Sequence, residues 1–348
     1  MNREGYKKLA VISGIYAVMA LSVMFYRAGT KRIIIADAAE NDYSNTDITQ
    51  SYSLRARAPE GTDEEGKLIV PLPGGVHSEN VRIENRYIEH RLILYVDAKD
   101  TGFYKSAILV ADIDNLNSAI CVPQSVEGEV ALIFQLDGIY ESVSELTDDS
   151  IVITFEEPGC IYDKMVVVDP LCGGEFLGSS SGNVTEKDIN LSVALALKNI
   201  ADADTENNFK VFFTRTSDIY RDEAVKTEFV EETGADLYIQ IMTEADTIQN
   251  EGIATYYNDN YFIRNFGNVQ FADTLEKNVL SSTGVNARGV LPCENESALR
   301  NIKIPSAAVS VGNISIEADA DRLTDKKYIN KVAQGIYDGI VDSLSELE

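Results

Sequence analysis

The chain has 348 residues, 45% hydrophobic and 25% charged, the composition of an ordinary globular protein long enough for two folded units. Its charge is not ordinary: 56 acidic against 30 basic residues give a net charge of −26, which repels phosphate backbones and excludes nucleic acid as a partner. Four cysteines (Cys121, Cys160, Cys172, Cys293) make no CxxC pair and have no neighbouring histidine, which excludes a zinc-finger pattern and leaves disulfides open.

In chain order, the first signal is LAVISGIYAVMALSVMFY at 9–26, 18 uncharged residues between Lys7-Lys8 and Arg27, Lys31, Arg32. That length suffices for one membrane-spanning helix. The run exceeds the apolar core of a signal peptide and lacks an A-x-A cleavage site, so it is expected to be an uncleaved anchor. Residues 1–8 would be a cytoplasmic tail, with the bulk of the chain on the extracytoplasmic side of the cell membrane. Residues 27–66 are expected to be a disordered tether, polar and acidic from Asp37 onward.

Residues 67–158 read as an all-β sandwich. The runs LIVPL, VRIENRYIEHRLILYVDA, EVALIFQLD and SIVITFEEP are rich in β-branched and aromatic residues and are separated by turn formers. In RLILYVD, Leu92, Leu94 and Val96 alternate with Arg91, Ile93, Tyr95 and Asp97, giving one apolar face and one mixed face. A short helix is weakly signalled at 102–110. The only two histidines, His77 in a turn and His90 mid-strand, have no ligand-spaced partners and read as surface residues.

From 165 to 346 the rhythm becomes strand–helix alternation, which predicts a mostly parallel sheet covered by helices on both faces. A strand at 165–169 enters a glycine-rich loop, and a helix follows at 186–201 with Ile189, Val193, Leu197 and Ile200 on one face. Strands are expected at 210–215, 235–242, 252–257 and 305–312. Helices are expected at 219–232, 263–283 and 325–345, the last with Tyr328, Val332, Ile336, Ile340 and Leu344 on one side.

Seven segments of this half, in order, carry a resemblance: VVVDPLCGG, TEKDINLSVALALK, VFFTRTSD, TGADLYIQIMTEAD, GIATYY, TGVNARGV and IPSAAVSVGNIS. They are similar to the V-V-I-D-P-G-H-G-G, E-K-D-x-N-L, V-x-L-T-R-x-x-D, A-D-L-F-I-S-I-H-A-N-A, G-x-E-x-Y-Y, T-G-x-x-x-R-G-V and M-P-A-V-L-V-E-x-G-F-x-S motifs of the zinc-dependent N-acetylmuramoyl-L-alanine amidases. A β-sandwich ahead of such a domain more loosely resembles a wall-targeting module. The resemblance implies an amidase-like fold acting on peptidoglycan, with one zinc held by His, Glu and His and a second Glu as acid/base.

Matched residue by residue, the first His position is Cys172, the Glu ligand is retained as Glu186, the second His is Met242, and the catalytic Glu is Ser310. Glu244, two residues past Met242, is an alternative ligand, and Arg288 of TGVNARGV a candidate binding residue. A neutral thioether is a poor zinc ligand, Ser310 has no proton-transfer capacity near pH 7, and no histidine follows residue 90. Each residue also has a plain structural reading: a dipole-favoured acid at a helix start for Glu186, core filling for Met242, a buried thiol or disulfide partner for Cys172. The expectation is a membrane-anchored cell-wall protein that lacks hydrolysis and zinc and binds peptidoglycan or a cell-envelope protein. The competing reading is an active amidase with a rearranged metal site.

Overall fold

Strand alternation in the first half is resolved by two sheets that share one apolar interior. The computed structural model describes residues 51–347 except 125, 127, 246–250 and 294–297. The expected tail, the anchor at 9–26 and tether residues 27–50 lie outside the described residues. Among the described residues, no helix is long and apolar enough to cross a membrane.

Ten strands build the first half: β1 (Tyr52–Ser53), β2 (Arg55–Arg57), β3 (Leu68–Pro71), β4 (Val81–Arg86), β5 (Arg91–Asp97), β6 (Ile108–Ala111), β7 (Leu116–Pro123), β8 (Glu129–Leu136), β9 (Glu141–Leu146) and β10 (Ser150–Glu156). They form two five-stranded sheets, ordered β1-β7-β8-β5-β4 and β2-β6-β3-β10-β9. Leu92, Leu94 and Val96 of β5 meet Leu68, Val70, Ile151 and Ile153 of the facing sheet in the interior. Ile93 and Tyr95 on the mixed face of β5 are also buried: Tyr95 lies under the Arg82 guanidinium, 3.7 Å from the ring centroid, and its hydroxyl donates to Glu84 at 3.2 Å.

Two expectations need correction here. The tether does not run to 66: Tyr52 and Ser53 pair with Cys121 and Ile120, and Arg55–Arg57 run parallel to Ile108–Val110. Both segments are too short and polar to show strand periodicity, and only the neighbouring edge orders them. His90 is not mid-strand. It turns the chain between β4 and β5 in a left-handed conformation (φ 52°), and its imidazole meets Glu232 at 2.8 Å.

The second half has a six-stranded sheet of β11 (Lys164–Pro170), β14 (Phe209–Phe213), β15 (Leu237–Glu244), β16 (Ile253–Tyr257), β17 (Ala287–Pro292) and β18 (Ser306–Asn313), with a hairpin of β12 (Ser180–Ser181) and β13 (Val184–Thr185) beside it. The order is β14-β11-β15-β18-β16-β17, parallel throughout except for β16 against β18. The helices Glu186–Ala203, Asn268–Thr283 and Lys326–Glu346 cover one face through Val193, Leu197, Phe271, Leu275, Val332 and Ile336. The helix Glu223–Thr233 and the short helix Ala298–Asn301 cover the other through Phe229, Val230 and Leu299.

Two helices start later than periodicity suggests. Asn268 opens its helix because its amide caps the preceding loop, donating to the carbonyls of Asn258 and Tyr261 at 2.8 and 3.0 Å. Glu223 opens the next because residues 217–220 are held under the glycine loop, where Asp218 accepts from the Gly174 amide at 2.8 Å.

The two halves meet through packed and charged groups. Tyr87 stands edge-on to Phe212, centroids 5.0 Å apart, and Lys210 reaches Glu141 at 3.0 Å; Arg221 pairs with Glu89. Within the second half the helices Asn268–Thr283 and Lys326–Glu346 cross closely. A Cβ at Gly335 would sit 2.5 Å from the Cα of Val279, so only glycine permits that approach. Gly335→Val is expected to lower the unfolding free energy by about 3 kcal/mol, the upper range for overpacking a core, as read by urea denaturation. An unchanged midpoint would mean that the helices do not pack this closely.

Candidate functional site

The sheet order creates a crevice. From β11 the chain crosses to β14 on one side, then returns to β15 on the other, with the connecting helices on opposite faces. Such a reversal opens a crevice beyond the carboxyl ends of the strands. Asp169 closes the floor beneath it, fully buried. It accepts from Thr214 Oγ1 at 2.6 Å and Tyr238 OH at 2.8 Å, and it pairs with Lys226 Nζ at 3.2 Å. Burial opposes the Lys226 charge, but Asp169 and Glu223 outweigh it and hold the amine above its ordinary range.

Arg215 sets the loop that follows. Its Nε donates to the Pro170 carbonyl at 2.8 Å, Nη2 to Leu171 at 3.2 Å and Lys187 at 2.9 Å, and Nη1 to Ser217 at 3.1 Å. One side chain therefore fixes the strand end, the glycine loop, the first helical turn and its own loop. Asn190 adds a second tie, donating to Leu171 O at 3.1 Å and accepting from Thr243 Oγ1 at 2.8 Å.

On this frame Cys172 and Glu186 come together. Cys172 adopts a left-handed conformation (φ 68°), and both side chains crowd the bare Cα of Gly178. A Cβ at Gly178 would lie 2.5 Å from Glu186 Oε2 and 2.6 Å from Cys172 Sγ. Glu186 is committed to backbone amides, accepting from Ser179 N at 2.9 Å through Oε2 and from Thr243 N at 3.3 Å through Oε1. Burial and the adjacent Glu186 carboxylate push the Cys172 thiol up to about 11. No disulfide joins Cys121, Cys160, Cys172 or Cys293.

Met242 and Ser310 lie opposite each other in the register of β15 and β18, and Met242 packs beside the apolar residues of the Phe212–Phe229 side. Ser310 is fully buried and donates to Glu244 Oε2 at 2.6 Å. The same carboxylate accepts from Tyr256 OH at 2.5 Å and forms an ion pair with Arg288 Nη2. Burial and Glu244 raise the Tyr256 phenol well above its ordinary range. Strands β15, β18, β16 and β17 thus contribute Glu244, Ser310, Tyr256 and Arg288 to one cluster. The contact between Glu186 and the amide after Met242 sets this cluster and the Cys172–Glu186 pair against the end of the same strand, β15.

These groups do not fit the zinc that the resemblance implies. Met242 offers a thioether, both Glu186 oxygens hold amides, and Glu244 is paired with a guanidinium. Among the described residues, no three His, Cys, Asp or Glu side chains are grouped to hold a metal ion. Sequence reasoning missed Arg215, Asn190, Gly178 and Tyr256 as builders of the site. The first two stand in VFFTR and EKDINL, where the spacing identifies the motif but gives no partner.

Comparison with known proteins identifies the family. The family model for N-acetylmuramoyl-L-alanine amidase matches residues 166–342, just over half of the chain. The uncharacterized protein YqiI of Bacillus subtilis (strain 168) is 27% identical over 180 residues, covering 52% of this chain and 84% of that one. The N-acetylmuramoyl-L-alanine amidase LytC of the same organism is 25% identical over 182 residues, 52% of this chain but only 36% of LytC. The solved catalytic domain of CwlV from Bacillus (Paenibacillus) polymyxa is 26% identical, with a TM-score of 0.48 over 53% of this chain and 99% of that one. The chain belongs to the N-acetylmuramoyl-L-alanine amidase family.

The state of Cys172 is directly measurable. In a Cys160→Ser background, alkylation of Cys172 by iodoacetamide is expected to be slow at pH 7 and to climb toward pH 11, followed by mass spectrometry. Because the folded thiol titrates later than an unfolded one near 9, its contribution to stability is present below pH 9 and lost as pH rises toward 11. Rapid alkylation at pH 7 would show a thiolate and reopen the site to metal or nucleophilic chemistry.

Proposed function

We propose that this chain is a non-hydrolytic member of its family: a membrane-anchored, extracytoplasmic protein whose α/β half binds peptidoglycan or a cell-envelope protein instead of cleaving the wall. The observation that carries the reading is the commitment of Glu244. It takes an ion pair from Arg288 and hydroxyl hydrogens from Ser310 and Tyr256, so this carboxylate is spent on internal contacts. Hydrolysis through a metal needs three N, O or thiolate ligands, an open position and a group to take the proton of the bound water. Here Ser310 stands at the acid/base position and itself donates to a carboxylate.

Anchoring rests on the apolar run at 9–26 with its basic flanks, and extracytoplasmic placement on the acidic bulk that follows. Peptidoglycan is the first ligand to test because the chain belongs to a family named for its muramoyl–alanine bond.

The purified full-length chain is expected to contain far less than one zinc per molecule and to leave muropeptides intact. Cys172→His with Met242→His should restore metal binding without turnover. Hydrolysis should require Ser310→Glu together with Glu244→Asn, since a new carboxylate at 310 would face Glu244 and be pushed toward its protonated form. Metal content by elemental analysis and release of peptide from muropeptides read the two steps separately. Stoichiometric zinc with turnover in the unaltered chain would sink this reading in favour of an active amidase with rearranged ligands.

A further inference from the structure

Arg288 is bonded on one side only. Its side chain is 7% exposed, and Nη2 serves both the Glu244 carboxylate and, at 3.4 Å, the Tyr256 hydroxyl. Nη1 of the same guanidinium is buried with no hydrogen-bond partner among the described residues. A desolvated N–H pair without an acceptor is unfavourable, and here it is left over after the internal contacts of Arg288 are made. The charge balance then restricts what can meet it. Arg288 and Glu244 already sum to zero, and the neighbouring Ser310 and Tyr256 are neutral hydrogen donors already directed at Glu244. A second carboxylate would leave a net negative charge in a buried site of a protein that carries −26 overall, whereas a neutral oxygen would satisfy the N–H group at no charge cost.

We infer that Arg288 is a ligand-binding residue that takes a neutral amide carbonyl oxygen through Nη1, with Glu244 holding the guanidinium in place. This deepens the proposed function and rests on it for the ligand's origin: a peptide amide and the acetamido group of an amino sugar share this chemistry. Sequence alone marked Arg288 as a candidate binding residue. The structure adds which atom lacks an acceptor, and the local charge balance favours an uncharged partner.

The test is nitrogen-15 NMR of the arginine side chains in the full-length chain, titrated with N-acetylmuramoyl-L-alaninamide, N-acetyl-L-alaninamide, N-acetylglucosamine and sodium acetate. The muramoyl amide is expected to shift the Arg288 Nη signals and acetate to leave them in place. A response to the alanine derivative assigns the peptide carbonyl, and one to N-acetylglucosamine the acetamido group. Arg288→Gln should weaken binding of the muramoyl amide about tenfold, the worth of one hydrogen bond. Should that variant fail to fold because Glu244 is left uncompensated, Arg288→Gln with Glu244→Gln removes both charges and carries the same expectation. Unchanged affinity in the variant, or a stronger response to acetate than to the amides, overturns the inference while peptidoglycan binding stands. A response to a small amide without binding of the muramoyl compound supports the inference and counts against the peptidoglycan reading. Silence toward every amide overturns both.

Discussion

A single buried guanidinium, that of Arg215, is the constraint on which the crevice depends. Four of its N–H groups meet the carbonyls of Pro170, Leu171, Lys187 and Ser217, which belong to a strand end, a glycine loop, a helix start and a turn. Burial pulls its pKa below the ordinary arginine value, and Asp169 and Asp218 work in the opposite direction. A charge in this position is tolerable because its planar fork matches several carbonyl dipoles at once, which a flexible ammonium would not do. Remove the fork and four carbonyls lose a partner together. The positions of Cys172 and Glu186 follow from this one tie.

The described groups of the cleft stand in charge balance. Glu186 is compensated by two backbone amides and Glu244 by Arg288. Cys172 stays neutral because burial and Glu186 both disfavour its thiolate. Each acidic group therefore has a partner within the protein, and a divalent cation would have to displace amides or oppose a guanidinium to enter. The same balance explains why Ser310 can be fully buried where a second carboxylate would be costly.

Most of the fold was legible in the sequence, and most of the site was legible only as positions. Val166–Val168, the Ile189-Val193-Leu197 stripe and Tyr328-Val332-Ile336 announce buried strand and helices through periodicity, because burial of those side chains is what forms the elements. The edge segments Tyr52–Ser53 and Arg55–Arg57 escaped, since their order comes from strands far along the chain and not from their own residues. The late start at Asn268 escaped for a similar reason: its side chain caps a loop whose path no local pattern records. At the site, the motifs placed Cys172, Glu186, Met242 and Ser310 on the right elements. They gave no hint that Glu244, read as a spare ligand, would be taken by residues from three other strands. Partnerships between groups 44 and 66 residues apart are invisible to spacing.

The two kinds of residue in this cleft answer to different physics, which is why a family's fold and its chemistry can part. Asp169, Thr214, Tyr238, Lys226 and Arg215 hold strands and loops together by bonds made in the folded chain whether or not a ligand is present. Losing any of them leaves buried polar groups unpaired, at about 1–3 kcal/mol each, a large share of a domain's net stability. A metal ligand or proton acceptor carries no such duty, so on the proposed reading Cys172, Met242 and Ser310 could take such positions with the surrounding frame intact. Glu186 belongs to both groups: it stands at a ligand position, yet its two oxygens close the Ser179 and Thr243 amides. Of the four matched positions it closes two backbone amides, while Ser310 is tied to the Glu244 carboxylate instead.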